Sequence, residues 1–217
     1  RKRLGIPMFA HINHPNFGYG ISTEDMKNLN GERFFEVYNG HPAVNNEGDD
    51  SHPSIEKMWD MINVSYFQNG KPLLLGVATD DSHNYHVQSS KHSNTGRGWV
   101  MVESDSLATN SLIDAMESGK FYASSGVDLK TVYHNNNSYT VVINAADNIN
   151  YEIIFYAYKQ NSDDVVEVFR QKGISATYKI EKDDVFVRAK VISDQKISNP
   201  YREGETSQAW TQPVLFE

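Results

Sequence analysis

Cysteine is absent from the 217 residues, which excludes a disulfide-stapled scaffold, a thiolate zinc site, a cysteine nucleophile and a CxxC redox pair. Long apolar runs are lacking as well. Stretches such as Leu73-Leu74-Leu75-Gly76-Val77-Ala78 fall far short of the roughly 18 to 20 residues a membrane-spanning helix needs, so no membrane span is expected. Positive charge is in deficit: 20 Lys and Arg stand against 28 Asp and Glu, a formal net charge of -8. With a basic cluster only as long as Arg1-Lys2-Arg3, the broad positive field that draws a nucleic acid duplex is missing. Neither GxGxxG, GxSxG nor a Walker-type loop occurs. The hydrophobic fraction of 39% is ordinary for a globular chain, and the length allows one large domain or two modest ones.

Histidine departs from background. Seven of the eight, His11, His14, His41, His52, His83, His86 and His92, fall in the first 92 residues. Without cysteine, a metal in this chain has to be held by imidazole nitrogen and carboxylate oxygen, a donor set that suits zinc, manganese or iron.

The two halves read differently. Up to residue 126, strand-like runs at Met8-Phe9-Ala10, Phe34 to Tyr38, Leu73 to Thr79 and Gly98 to Val102 alternate with helix-like segments. Thr23 to Met26 has an N-cap threonine and acids in its first turn. Ser54 to Phe67 places Ile55, Met58, Trp59, Ile62 and Tyr66 at helical spacing before Asn69-Gly70, and Thr109 to Ser118 ends at Gly119. This alternation predicts α/β architecture, a parallel sheet or barrel. From 127 to 217 short strands follow one another, Tyr139 to Asn144, Tyr151 to Tyr158, Val165 to Phe169, Ala176 to Ile180, Val185 to Ile192 and Pro213 to Phe216, and predict an antiparallel β-sandwich. Arg1-Lys2-Arg3-Leu4 before Gly5 and Pro7 reads as the end of a helix. Three or four parallel strands are too few for a closed barrel, which needs about seven or eight, so the chain is expected to begin inside a larger fold.

Chemistry concentrates at the ends of these strands. In Val77-Ala78-Thr79-Asp80-Asp81-Ser82-His83, extended geometry would put Thr79, Asp81 and His83 on one face. A carboxylate and an imidazole then project from the C-terminal edge of a buried strand, where parallel α/β folds place active sites; the alternative is a polar loop whose aspartates cap turns. Of His11 and His14, three apart and of opposite parity, His14 is the candidate ligand, held extended before Pro15, with His11 supporting or packing. Glu36, among Phe34, Phe35, Val37 and Tyr38, needs a cation or a hydrogen-bonded setting, and Asn39 follows at the same strand end. His41 and His52, each before a proline, read as solvated loop residues. Arg97, between Gly96 and Gly98, has a planar fork that suits a phosphoryl oxygen pair; an ordinary turn arginine is the other reading. The tail aromatics Tyr139, Tyr151, Tyr156, Tyr158, Tyr178 and Trp210 would either stack on a carbohydrate or alternate into a sandwich core.

Together, His14-Pro15-Asn16, Phe35-Glu36-Val37-Tyr38-Asn39-Gly40-His41-Pro42 and Ala78-Thr79-Asp80-Asp81-Ser82-His83 resemble the later motifs of the polymerase and histidinol phosphatase (PHP) superfamily of metal-dependent phosphoesterases. Gly96-Arg97-Gly98-Trp99-Val100, Gly119 to Gly126 and Ala209 to Val214 resemble a bacterial branch that carries a β-rich tail. The resemblance implies the C-terminal part of a distorted (β/α)7 barrel over 1–126, lacking its N-terminal strands, and a β-sandwich domain over 127–217. It further implies two or three divalent ions (Zn, Mn or Fe) held in part by His14, Asp81 and His83. Asp81 would add anionic charge or accept a proton in hydrolysis by a metal-activated water, with Arg97 as the oxyanion partner and His11, Glu36 and Asn39 supporting the ligands or meeting the substrate. The substrate would be a small-molecule phosphate ester or related ester. The family's first motif, His-x-His, and its second have no counterpart, which implies an upstream half of the barrel as partner and an incomplete metal site in this chain alone. The composition fits a periplasmic or secreted bacterial protein, or otherwise a cytoplasmic one. The competing reading is a non-catalytic carbohydrate- or protein-binding β module on a degenerate barrel.

Overall fold

The computed structural model describes residues 5–216; the helix end expected over Arg1 to Leu4 lies outside the described residues. In chain order the elements are β1 (His11–Ile12), α1 (Thr23–Lys27), β2 (Phe34–Asn39), α2 (Ile55–Gln68), β3 (Leu75–Thr79), β4 (Trp99–Val102), α3 (Thr109–Glu117), β5 (Phe121–Ser124), β6 (Leu129–Asn135), β7 (Ser138–Ile143), β8 (Tyr151–Lys159), β9 (Val165–Lys172), β10 (Ser175–Lys179), β11 (Asp184–Lys196), β12 (Thr206–Thr211) and β13 (Val214–Leu215). Among the described residues no helix is long and apolar enough to cross a membrane.

Strands β1, β2 and β3 form a parallel sheet in that order. Residues of β2 are buried throughout and those of β3 nearly so, as befits apolar runs covered on both faces. Helix α2 starts where Ser54 accepts the Lys57 amide hydrogen, and its Ile55, Met58, Trp59, Ile62 and Tyr66 share a core with Phe35, Val37 and Leu74. Asn63 and Trp59 reach from the helix to the start of the third strand: Leu74 N donates to Asn63 Oδ1 (2.7 Å), and Trp59 Nε1 donates to Leu74 O (2.9 Å).

Parallel pairing stops at β3, and this corrects the α/β barrel expectation. β4 pairs antiparallel with β5, and both belong to a seven-stranded sheet ordered β4-β5-β12-β11-β8-β9, with β13 on β11. The described chain is 38% strand and 13% helix, with three helices. A (β/α)7 barrel needs parallel neighbours and a helix after each strand. The physical reason is visible in β4. Trp99 and Met101 are exposed while Val100 and Val102 are half-buried, the alternation of a one-sided antiparallel strand instead of the continuous burial of β2. β5 is four residues long, so its pairing is set by neighbours more than by its own pattern.

The large sheet is two-faced with the period of a strand. Ile153, Phe155 and Ala157 of β8, with Val187, Ala189 and Val191 of β11, pack on the third sheet, β10-β7-β6, through Tyr139, Val141, Ala176 and Tyr178. Tyr158 and Phe186 turn the other way and meet Val64 of α2. The result is a mainly β layered body: parallel sheet, α2, seven-stranded sheet, small antiparallel sheet. β4 and β5, which precede residue 126, lie in one sheet with β8, β9, β11, β12 and β13. Tyr139, Tyr151, Tyr158, Tyr178 and Trp210 are buried, so they fill cores and offer no stacking surface.

β3 is an edge of the parallel sheet, and the tail covers that edge with a side chain. Gly76 N donates to Gln212 Oε1 (2.6 Å), and Gln212 Nε2 donates to Gly76 O (2.9 Å), so a buried amide stands in for a strand. Gln212→Leu leaves both Gly76 groups unpaired and is expected to lower unfolding free energy by about 1–3 kcal/mol. Urea denaturation measures it; a change below about 0.5 kcal/mol would show that the edge is satisfied some other way.

Candidate functional site

The carboxyl ends of the three parallel strands meet at Glu36, which is 2% exposed. Its Oε2 accepts the His14 amide hydrogen (2.6 Å) and Asn39 Nδ2 (2.9 Å), and its Oε1 accepts Thr79 Oγ1 (2.9 Å). One carboxylate thus ties residues following β1 to the ends of β2 and β3, which answers the burial cost of the charge with hydrogen bonds. Asn39 is fully buried. It holds Glu36, receives the His41 amide hydrogen on Oδ1 (2.8 Å), and leans its Nδ2 toward Asp81 Oδ2 (3.4 Å). His11 Nδ1 lies 3.7 Å from Glu36 Oε1, a buried nitrogen without a hydrogen-bond partner.

Around this base stand the three expected ligands. His14 Nε2 is 4.0 Å from Asp81 Oδ2, and His83 Nδ1 is 3.8 Å from Asp81 Oδ1. Each imidazole comes near Asp81, but the three side chains do not bring one donor atom apiece within 4.8 Å of one another, and the backbone that places them differs from the extended geometry that the sequence suggested. His14 has φ 25° and Asp81 has φ 47°, both in the left-handed region that non-glycine residues rarely occupy. His14 is bent there because its amide is drawn to Glu36 and its carbonyl accepts the Phe17 amide hydrogen (2.9 Å). The bend also lets His11 and His14, of opposite parity in an extended strand, both face the cluster. Asp81 turns so that its carbonyl accepts from Ser93 Oγ and lies 2.7 Å from His83 Nδ1. A carbonyl only accepts, so Nδ1 of His83 carries a hydrogen, and in the neutral ring Nε2 is the lone-pair nitrogen.

Arg97 is placed otherwise than as an oxyanion partner. It is fully buried, and its guanidinium donates to Asn199 O (2.8 Å), Gly40 O (2.9 Å), His92 O (2.6 Å) and Ser89 O (2.9 Å), with Asn94 Oδ1 and Asn199 Oδ1 at 3.2 Å. Every nitrogen of the fork is engaged within the protein. Burial pulls its pKa down from the usual guanidinium range, with Tyr38, Glu205 and Asp80 opposing. It acts as a peg that fixes the loops after β2 and β3 to the tail. Two glycines serve that packing, Gly98 beside Arg97 in sequence and Gly40 across from it: a Cβ on Gly98 would come within 2.5 Å of Thr79 O, and one on Gly40 within 2.5 Å of Arg97 Cβ. Gly98 thus marks a close approach of backbone to backbone.

His41 was not among the expected site residues, yet it belongs here. Its ring lies 5.8 Å from that of His83 at 87° and 6.0 Å from that of Phe17, which also flanks His14 at 5.5 Å. Burial lowers its pKa, against the pull of Asp81. His52 instead pairs with Asp49 (2.8 Å) and stacks on Tyr19, and His134 edges onto Tyr139 and Phe216.

Two other polar clusters lack the features of a site. A cavity of about 140 Å³ between β2, α2, β11 and β12 is bordered by Tyr38, Glu56, Lys190, Glu205 and Trp210. Its charges satisfy one another, Tyr38 with Glu205 (2.6 Å) and Glu56 with Lys190, Arg188 and Trp210. Glu181, Asp183 and Asp184 bring carboxylates within 4.8 Å of one another. The Lys159 ammonium already fills that nest, at 2.7, 3.0 and 3.0 Å.

No protein-family model, curated protein or solved structure matches the chain. Whether the cluster suits a divalent ion is therefore decided by its own donors. His14, Asp81 and the Nε2 lone pair of His83 are the nitrogen and oxygen types that zinc, manganese or iron take, and His11 Nδ1 adds a buried nitrogen with no hydrogen-bond partner. The donor set fits.

Proposed function

We propose that the protein is a metal-dependent hydrolase whose substrates are phosphate esters. The observation that carries this reading is the placement of His14, whose Nε2 lies 4.0 Å from Asp81 Oδ2, beside His83, whose Nδ1 is engaged by the Asp81 carbonyl so that Nε2 is the nitrogen left for a ligand role, at the carboxyl end of a parallel sheet, where open α/β sheets bind ligands. The reading rests on this cluster and the motifs around it, and it requires no barrel. His14, Asp81 and His83 would hold the ion. A bound divalent ion supplies Lewis-acid polarisation of the ester and acidification of water. Asp81 supplies negative charge to balance the cation. Glu36 and Asn39 keep His14 and Asp81 oriented, as partners behind ligands do at metal centres. Arg97 fixes the loops of Gly40 and of residues 89–94 around them.

The test is metal analysis of the purified protein together with turnover of p-nitrophenyl phosphate and bis(p-nitrophenyl) phosphate. A stoichiometric divalent ion, activity lost to EDTA and activity restored by Mn²⁺ or Zn²⁺ are expected; the stoichiometry also separates one ion from two or three. Protein that takes up no ion, or that hydrolyses both esters equally well after chelation, would overturn the reading. Faster cleavage of p-nitrophenyl acetate than of either phosphate would move the substrate class to carboxylic esters.

A further inference from the structure

We propose that His41 serves this site as a fixed hydrogen-bond donor, presenting Nε2–H to a phosphoryl oxygen of the substrate, and that it is not a metal ligand. The inference rests on the hydrolase reading above.

The tautomer follows from the loop. Ala43 N donates its hydrogen to His41 Nδ1 at 3.0 Å. A backbone amide cannot accept, so Nδ1 must be the lone-pair nitrogen, and the neutral ring carries its hydrogen on Nε2. His83 is set the opposite way by the Asp81 carbonyl. The two rings lie 5.8 Å apart and perpendicular, one with a free lone pair and the other with a free N–H. A cation and the phosphoryl oxygens of its substrate need both kinds of nitrogen side by side.

The backbone of His41 is held as a donor has to be if it is to act without reorganisation. Its amide donates to Asn39 Oδ1 (2.8 Å) and its carbonyl accepts from Val44 N (3.1 Å). The preceding Gly40 is gripped on both sides, donating to Thr79 O (2.9 Å) and accepting from Arg97 (2.9 Å). Pro42 keeps the next peptide from offering a hydrogen of its own, so the first amide that reaches the ring is that of Ala43. Phe17 covers one side of the ring at 6.0 Å, is itself half exposed, and also lies against His14. His41 therefore stands between an apolar rim and the ligand cluster.

Three measurements decide it. Long-range ¹H–¹⁵N correlation on ¹⁵N-histidine-labelled protein, without added metal, is expected to show His41 protonated at Nε2 and bare at Nδ1, and His83 the reverse. Metal content should be unchanged in His41→Ala and His41→Gln but lost in His83→Ala. With bis(p-nitrophenyl) phosphate, His41→Ala should lose about 100-fold in kcat with KM within about threefold. His41→Gln, whose amide N–H sits where Nε2–H was, should recover about tenfold of that loss. Loss of metal in the His41 variants, a proton on Nδ1, or unchanged kcat with metal retained would each overturn the assignment while leaving the hydrolase reading intact. Wild-type protein that binds no metal would sink that reading, and the role of His41 with it.

Discussion

Asp81→Asn is expected to lower kcat/KM for bis(p-nitrophenyl) phosphate by about a thousandfold, equivalent to about 4 kcal/mol of transition-state stabilisation, and to release the bound ion, with the fold unchanged. The fold should survive for a specific reason. Asp81 sits at φ 47°, and asparagine is among the few residues that accept this region. Its side-chain oxygen can still receive Asn39 Nδ2, and the Asp81 carbonyl that meets Ser93 and His83 is unaltered. What disappears is the charge between the two imidazoles, and with it most of the attraction for a cation. Asp80→Asn is the matched comparison. That neighbour accepts the Gly96 amide hydrogen at 2.8 Å, which an asparagine oxygen does equally well, so its kcat/KM should change by less than about fivefold. Equal losses in the two variants would show that net negative charge in this loop matters and that Asp81 is no ligand.

Some of this site could be read from residue order, and some only from folded geometry. Asp81 and His83 announce themselves because they follow an apolar run, Leu73 to Ala78, long enough to be a buried strand. Glu36 does so because a carboxylate amid Phe34, Phe35, Val37 and Tyr38 has to be compensated. Hidden from the linear pattern are the two left-handed residues that bring His14 and Asp81 together, since parity along a strand says nothing about the turn that ends it. Arg97 misled for a related reason. Gly98 does signal a close approach, but what approaches is the Thr79 backbone, while Gly96 faces open space and serves a positive φ, and the arginine fork is consumed by carbonyls from four separate residues. His41 looked like a loop residue because its partners, Ala43 N and the rings of His83 and Phe17, are set by a turn and by tertiary packing.

The fold divides along the same line. β2, β3 and α2 follow from continuous burial and helical spacing, both local signals. β5, β6 and β12 do not: β5 has four residues, β6 keeps one of seven fully buried, and β12 carries Thr206, Ser207 and Gln208 ahead of its apolar end. Such strands are held by their neighbours, and it is the pairing of β5 and β12 in the large sheet and of β6 in the small one that makes both antiparallel. Reading Trp99 to Val102 as one more parallel strand carries the α/β expectation too far along the chain, and the (β/α)7 barrel is what the PHP resemblance implies.

Arg188→Met should cost about 3–5 kcal/mol of stability, the penalty for stranding buried carboxylates and a large part of the 5–15 kcal/mol typical of a domain. Arg188 is 1% exposed, with Trp59 and Tyr156 rings 5.2 and 4.5 Å from its guanidinium. Nε and Nη2 donate to the two oxygens of Asp60 at 2.7 and 2.6 Å, and Nη1 lies 2.9 Å from Glu56 Oε1. Both acids are on α2, and Arg188 is on β11, so the bidentate pair fastens the helix behind the candidate site to the seven-stranded sheet. Lysine lacks the planar fork, and Arg188→Lys should recover less than half of the loss. The double variant Arg188→Met with Asp60→Leu should recover most of it, because replacing a buried pair by apolar groups is often nearly neutral. Glu56 does not need replacing, since Lys190 and Trp210 Nε1 still bind it. Urea unfolding of the three variants measures the series. A loss below about 1 kcal/mol in Arg188→Met would mean that water or a local shift solvates Asp60, and that the packing of α2 on the sheet, not this ion pair, keeps the His14, Asp81 and His83 cluster in place.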